Sequence, residues 1–154
     1  MIKVMFVCHG NICRSPMAEF VLKDMVRSAG LADQFTIASA ATSTEEIGNP
    51  VHRGTRAVLS GLGIDCSGKT AVRLKKSDYD NYDYFIGMDD WNIRNMLRIF
   101  GSDPQQKVHR LLEYAGRQGE IADPWYTGNF DRTYQDVKAG CEGLLDKIRK
   151  ETGR

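Results

Sequence analysis

The run Cys8-His9-Gly10-Asn11-Ile12-Cys13-Arg14-Ser15-Pro16 puts a thiol, a guanidinium and a hydroxyl within one short loop, and together these groups can displace an oxygen from phosphorus. Six or seven residues that wrap round a point turn backbone N–H groups inward. A helix starting behind them adds its N-terminal partial positive charge, so the stretch suits a phosphate-sized dianion. Gly10 and Asn11 are residue types that tolerate the unusual backbone angles such a loop needs. Arg14 offers a planar guanidinium that holds two phosphoryl oxygens at once, for which lysine is a poor substitute. The same donors favour the thiolate form of Cys8, with Ser15 able to donate to the sulfur, and a thiolate under a bound phosphoryl group is a nucleophile facing phosphorus. Taken singly, the residues read more plainly: Cys8 ends a buried strand, Arg14 is a solvated charge, and Ser15 with Pro16 starts a helix. Their coincidence at a strand end favours the chemical reading.

The elements that must position this loop follow from periodicity. Ile2 to Val7 is an apolar run, read as a buried strand, and Met17, Phe20, Val21 and Val26 recur at helical spacing from Pro16 to Ser28. Phe35 to Ser39 is strand-like. A polar loop from Thr42 to Asn49 follows it, then a helical pattern from Arg53 to Leu62 that ends at Gly63. Tyr84 to Met88 is a third strand, and Asp89 or Asp90 can cap the helix carrying Trp91, Ile93, Met96, Leu97 and Ile99. Val108 to Tyr114 is a weaker strand, and Phe130 to Ile148 a long closing helix. Strands alternating with helices predict an α/β chain with a mostly parallel, twisted sheet covered on both faces, whose ligand binds beyond the strand carboxyl ends. The Cys8 loop lies at that position.

With 154 residues, 42% of them hydrophobic and 27% charged, the composition predicts one globular domain over 1–154, and no linker, repeat or low-complexity run divides it. The net charge of +1 gives no field that would recruit nucleic acid or an anionic membrane. The first apolar run is far short of the roughly 18 residues that suggest a spanning helix, and no secretory signal is evident, so a cytoplasmic location is expected. Cys8, Cys13, Cys66 and Cys141 read as reduced thiols, and they lack the paired spacing of a structural zinc site, so neither metal nor another cofactor is expected.

Cysteine, five residues, arginine and serine form the phosphate-loop signature of cysteine-dependent phosphatases. The run from Val7 to Glu19, together with Asp123-Pro124-Trp125-Tyr126, resembles the low-molecular-weight protein tyrosine phosphatases. The resemblance extends over essentially the whole chain. It implies a single-domain, three-layer αβα fold with a four-stranded sheet ordered 2-1-3-4. Activity would be hydrolysis of protein phosphotyrosine through a phosphocysteine intermediate, inorganic phosphate would be the product, and the protein would be a monomer capable of weak self-association. By the same resemblance Cys8 is the nucleophile and Arg14 binds phosphate and steadies the transition state. Asp123 is the acid that protonates the leaving oxygen and then the base that activates water, which the chemistry needs because an alkoxide leaves poorly. On sequence alone Asp123 before Pro124 reads as a turn starter. The loop members His9, Gly10, Asn11, Ile12, Cys13 and Ser15 would surround the phosphate, with Ser39 supporting the loop from the end of the second strand. Cys13 is placed either to form a reversible disulfide with Cys8 or to be a plain buried thiol.

Two departures from the family pattern carry expectations. Gly68 stands where many relatives have a histidine that supports the loop, so that hydrogen bond is expected to be missing. Glu45 and Glu46 stand where mammalian relatives have an aromatic wall, which makes that side of the pocket acidic. Trp125 and Tyr126 remain as an aromatic wall for a phenyl ring, unless they belong to the core, and Tyr126 is a candidate phosphorylation site. His9 and His52 receive no catalytic role.

An arsenate reductase of the same fold would need relay cysteines near the third strand, and residues 79–100 contain none. A protein-arginine phosphatase usually carries threonine where this chain has Ile12, whose bulk fits an aryl ester better. A phosphate-binding module without turnover would not need the full set of Cys8, Arg14 and Asp123.

Overall fold

The apolar run at the start of the chain becomes an inner strand of the sheet. In the computed structural model, which describes residues 1–153, β1 spans Ile2–Cys8 and pairs in parallel with β2 (Phe35–Ala41) on one side and β3 (Tyr84–Gly87) on the other. A short β4 (Val108–Arg110) joins β3 in parallel, which gives the expected order β2-β1-β3-β4. The strand is apolar on successive residues because both of its faces are covered, as parallel sheets require. Val4, Phe6 and Cys8 point into one core with α1 (Arg14–Ser28), α2 (Arg53–Gly61) and α5 (Phe130–Thr152), whereas Met5 and Val7 point into a second with α3 (Asp90–Phe100). Phe6, Met17 and Phe85 are wholly buried, and each such side chain contributes about 1.5–3 kcal/mol of transfer free energy.

Asp89 caps α3: its carboxylate accepts from the Asn92 amide while the Asn92 side chain accepts from the Asp89 amide. The weak fourth strand is shorter than its apolar pattern suggested. After Arg110 the chain turns into a 3-10 segment, Leu111–Ala115, where Leu111 and Leu112 are buried against α5 rather than in the sheet. Asp123 caps a one-turn α4 (Pro124–Thr127), with proline at the first helical position, where its missing N–H costs nothing. Among the described residues no helix is long and apolar enough to cross a membrane, and no cluster of three or more histidine, cysteine or acidic side chains could hold a metal ion.

Candidate active site

Between β1 and α1 the chain wraps from Cys8 to Arg14, and four of its carbonyls are tied down from outside. The Cys8 carbonyl accepts from the Thr42 amide at 3.0 Å, and that of His9 from the Ser43 amide at 3.1 Å and the Ser43 hydroxyl at 2.9 Å. The Ile12 carbonyl accepts from the His52 amide at 2.8 Å, and that of Cys13 from the Thr55 hydroxyl at 3.0 Å. A trans peptide places its C=O and N–H on opposite sides, so anchoring these oxygens outward turns the amides of His9, Gly10, Cys13 and Arg14 inward. Asn11 takes the left-handed backbone that the turn requires, with φ of 59°. Gly10 does not. Its value to the loop is space, since an added Cβ would sit 3.3 Å from the Glu46 side chain.

The Cys8 sulfur lies at the floor of this ring. It receives the Asn11 amide at 3.3 Å and lies 2.9 Å from the Ser15 hydroxyl. That hydroxyl already accepts from the Asn11 side-chain amide at 2.8 Å, so its own proton is free to point at the sulfur. Asn11 is fixed in turn: its oxygen accepts the Val72 amide at 3.1 Å, and its NH₂ group also donates to Ser39 at 2.9 Å. The Ser39 hydroxyl donates a hydrogen bond to buried Glu19 at 2.5 Å. Asn11, Ser15, Ser39 and Glu19 are all buried, so this is a connected polar network behind the loop.

At Gly68 no side chain is available to support the loop, as expected of a glycine. Gly68 occupies an open left-handed turn at φ of 85°, and Lys69 reaches into the network instead. Its ammonium donates to the Ser39 carbonyl at 2.9 Å and lies 3.7 Å from Glu19. Burial draws the Lys69 pKa below the ordinary lysine range, against the opposing pull of Glu19. The other cysteines are buried thiols. Burial, then the charges of Cys8 and Asp123, pushes Cys13 up to about 12, and burial raises Cys66 and Cys141 as well. All four cysteines are free.

Arg14 is 3% exposed and faces three partners from elsewhere in the chain. One guanidinium nitrogen donates to Asp89 and to the Ile121 carbonyl, both at 2.8 Å, and the other lies 3.6 Å from Asp123 Oδ2. Burial works against the guanidinium charge, but the anionic surroundings of Cys8, Asp89 and Asp123 outweigh it and hold the group above the usual arginine range. Asp123 serves as turn starter and site residue together: Oδ1 accepts the Trp125 amide at 3.0 Å, leaving Oδ2 toward Arg14. The Asp89 and Ile121 contacts, which no sequence pattern pointed to, dock the acid-bearing segment onto the arginine.

A cleft opens above the sulfur, walled by Ile12, Glu45, Glu46, Asp123, Trp125 and Tyr126. Trp125 is 57% and Tyr126 84% exposed, so neither belongs to the core. Glu45 pairs with His9 at 3.0 Å on the rim, while Glu46 accepts from Asn49 at 2.6 Å. Most of the sequence-predicted residues thus come together round one cleft, with the Asn11, Ser15 and Ser39 side chains in the network behind it.

The family described as low molecular weight phosphotyrosine protein phosphatase matches residues 3–154. The low molecular weight protein-tyrosine-phosphatase YfkJ of Bacillus subtilis is 42% identical over 153 residues, which cover 98% of each chain. Its crystal structure superposes with a TM-score of 0.95, covering 98% of this chain and 96% of the other. The low molecular weight protein tyrosine phosphatase of Streptococcus pyogenes is also 42% identical, with a TM-score of 0.85 over 96% and 93% of the chains. A Drosophila protein described as an arginine phosphatase is 29% identical, with a TM-score of 0.87 over 96% and 98%. With one loop, one buried arginine and one acid segment converging on the Cys8 sulfur, and with a family match over nearly its whole length, the chain belongs to the low molecular weight phosphotyrosine protein phosphatases.

Proposed function

We propose that this protein-tyrosine-phosphatase hydrolyses protein phosphotyrosine and small aryl phosphates through a phosphocysteine on Cys8. The observation that carries the reading is the placement of the Cys8 sulfur beneath inward-facing amides, with Arg14 and Asp123 3.6 Å apart at the same cleft. The phosphate dianion sits on the amides of the loop, and the Arg14 nitrogen not committed to Asp89 takes a phosphoryl oxygen. The sulfur lone pair forms the S–P bond as the P–O bond to the tyrosine breaks, and Asp123 delivers a proton to the departing oxygen. Water then enters. Asp123 takes its proton, the new P–O bond forms and the S–P bond breaks, which returns the thiolate and releases inorganic phosphate. Ser15 donates to the sulfur and thereby stabilises it as a leaving group in this second step.

Ile12 and the exposed faces of Trp125 and Tyr126 give the cleft apolar walls suited to a phenyl ring. The structural likeness to an arginine phosphatase makes phosphoarginine the competitor to test. In chelator and reductant, a phosphotyrosine peptide is expected to turn over far faster than its phosphoarginine counterpart, and mass spectrometry of acid-quenched turnover to find phosphorus on Cys8. Preference for phosphoarginine would remove the substrate assignment, and turnover with no protein-bound phosphorus would remove the mechanism.

The acidic rim adds selectivity. Glu45 and Glu46 line the same cleft as Asp123, so phosphopeptides with flanking lysine or arginine are favoured over acidic ones. Glu45→Gln is expected to shrink the basic-over-acidic ratio of kcat/KM by about twofold at low salt, and less at high salt, as suits one exposed and screened charge. An unchanged ratio at low salt would rule Glu45 out as a selector.

A further inference from the structure

His52 caps α2, and its main chain and side chain face two different parts of the site. Its amide donates to the Ile12 carbonyl at 2.8 Å and so anchors the far side of the phosphate loop. Its imidazole lies on Phe130, with ring centres 5.1 Å apart and planes 12° from parallel, and meets Trp125 edge-on at 5.6 Å and 76°. Nδ1 accepts the Gly54 amide at 3.0 Å, which puts the proton of the neutral ring on Nε2 and fixes the ring plane. Phe130 is seated just as firmly, because a Cβ at Gly54 would fall 2.5 Å from its ring.

Trp125 follows Asp123 by two residues, and its amide donates to Asp123 Oδ1 at 3.0 Å, so the direction of Oδ2 depends on where this turn sits. The Trp125 ring is more than half exposed, and among the described residues His52 makes its one ring contact. From this we infer that His52 is a positioning residue for the acid: the Phe130–His52–Trp125 stack holds the Asp123 turn at a fixed distance from the phosphate loop. The inference rests on the assignment of Asp123 as general acid.

Two substitutions separate the ring from the cap. His52→Asn keeps a good capping acceptor and removes the ring, whereas His52→Phe keeps a ring and removes the acceptor. The quantity to read is the ratio of kcat/KM on p-nitrophenyl phosphate to that on phenyl phosphate, since phenol depends on a delivered proton far more than nitrophenol does. His52→Asn is expected to raise this ratio about tenfold, near the upper end of what one aromatic contact contributes, with the inhibition constant of inorganic phosphate unchanged. His52→Phe is expected to leave the ratio at its native value. An unchanged ratio in His52→Asn, or a larger rise in His52→Phe, would overturn the inference. Asp123→Ala measured alongside separates the two failures. If it too leaves the ratio unchanged, the general-acid assignment falls and takes the inference with it, and if it raises the ratio while His52→Asn does not, His52 alone is excluded.

Discussion

Cys8→Ser is expected to lower kcat on p-nitrophenyl phosphate by at least about 10⁴-fold while inorganic phosphate binds as well as before or better. The amides that face the phosphate are oriented by Thr42, Ser43, His52 and Thr55 acting on the loop carbonyls, and none of these contacts involves the sulfur. Binding therefore survives. A serine hydroxyl, by contrast, has to lose a proton before it attacks, and no base stands beside it: Ser15 and Asn11 are its neighbours, and Asp123 lies with Arg14. Removing an anion from beneath a dianion also relieves like-charge repulsion, which is why affinity is expected to hold or rise. Steady-state assays with titration calorimetry of phosphate check both halves. Activity within a hundredfold of the native enzyme would remove Cys8 as nucleophile, and loss of phosphate binding would mean that the sulfur, not the amide ring, shapes the anion site.

The parts of the fold that were legible are those whose burial is uniform. β1 announces itself because both of its faces are covered from Val4 onward, so Val4 to Cys8 read as one apolar run after the exposed Lys3. α3 is readable because Asp89 and Asn92 form a capping box at its start. β4 misleads for the converse reason. It is a half-buried edge strand of three residues, and the apolar Leu111 and Leu112 that extend its pattern are buried by α5 in a 3-10 turn. Apolar sequence reports burial, not the element that achieves it.

The site was legible where its chemistry is contiguous. Cys8 to Ser15 carry thiol, amides, arginine and hydroxyl in one stretch, so the sequence displays nearly the whole of the proposed anion site. What stayed hidden acts through groups with no sequence signature. His52 contributes a backbone amide, Thr55 a single buried hydroxyl, and Ile121 a carbonyl that fixes Arg14. Lys69 was concealed by a shift of one residue: Gly68 supplies the left-handed turn, and that turn is what carries the next side chain inward to Ser39 and Glu19. Asp123 read as a turn starter because it is one, and its second carboxylate oxygen faces Arg14.

That division of labour sets the second large effect. Asp123→Ala is expected to lower kcat on phenyl phosphate by about 10²- to 10³-fold with KM little changed, the loss typical of removing one general acid. The anion site is built by the loop and Arg14, and Arg14 keeps Asp89 and the Ile121 carbonyl after the change, so ground-state binding stays in place. With p-nitrophenyl phosphate the outcome should differ between the two steps. Nitrophenolate departs with little help, so S–P bond formation remains fast, but the water that must cleave that bond has lost its base. Phosphocysteine then accumulates. Rapid mixing should show a burst of nitrophenol approaching one equivalent per enzyme, followed by a slow steady state, and quenching during that phase should recover phosphorus on Cys8. The loss of the Asp123 cap also loosens α4, whose Trp125 amide would have no side-chain acceptor, at a cost of about 1 kcal/mol in local stability. That local cost cannot mimic the burst, since a looser Trp125–Tyr126 wall would weaken binding of either ester rather than halt hydrolysis of the phosphocysteine. Equal slowing on both esters without a burst would assign Asp123 to structure alone and leave the leaving-group proton to another donor.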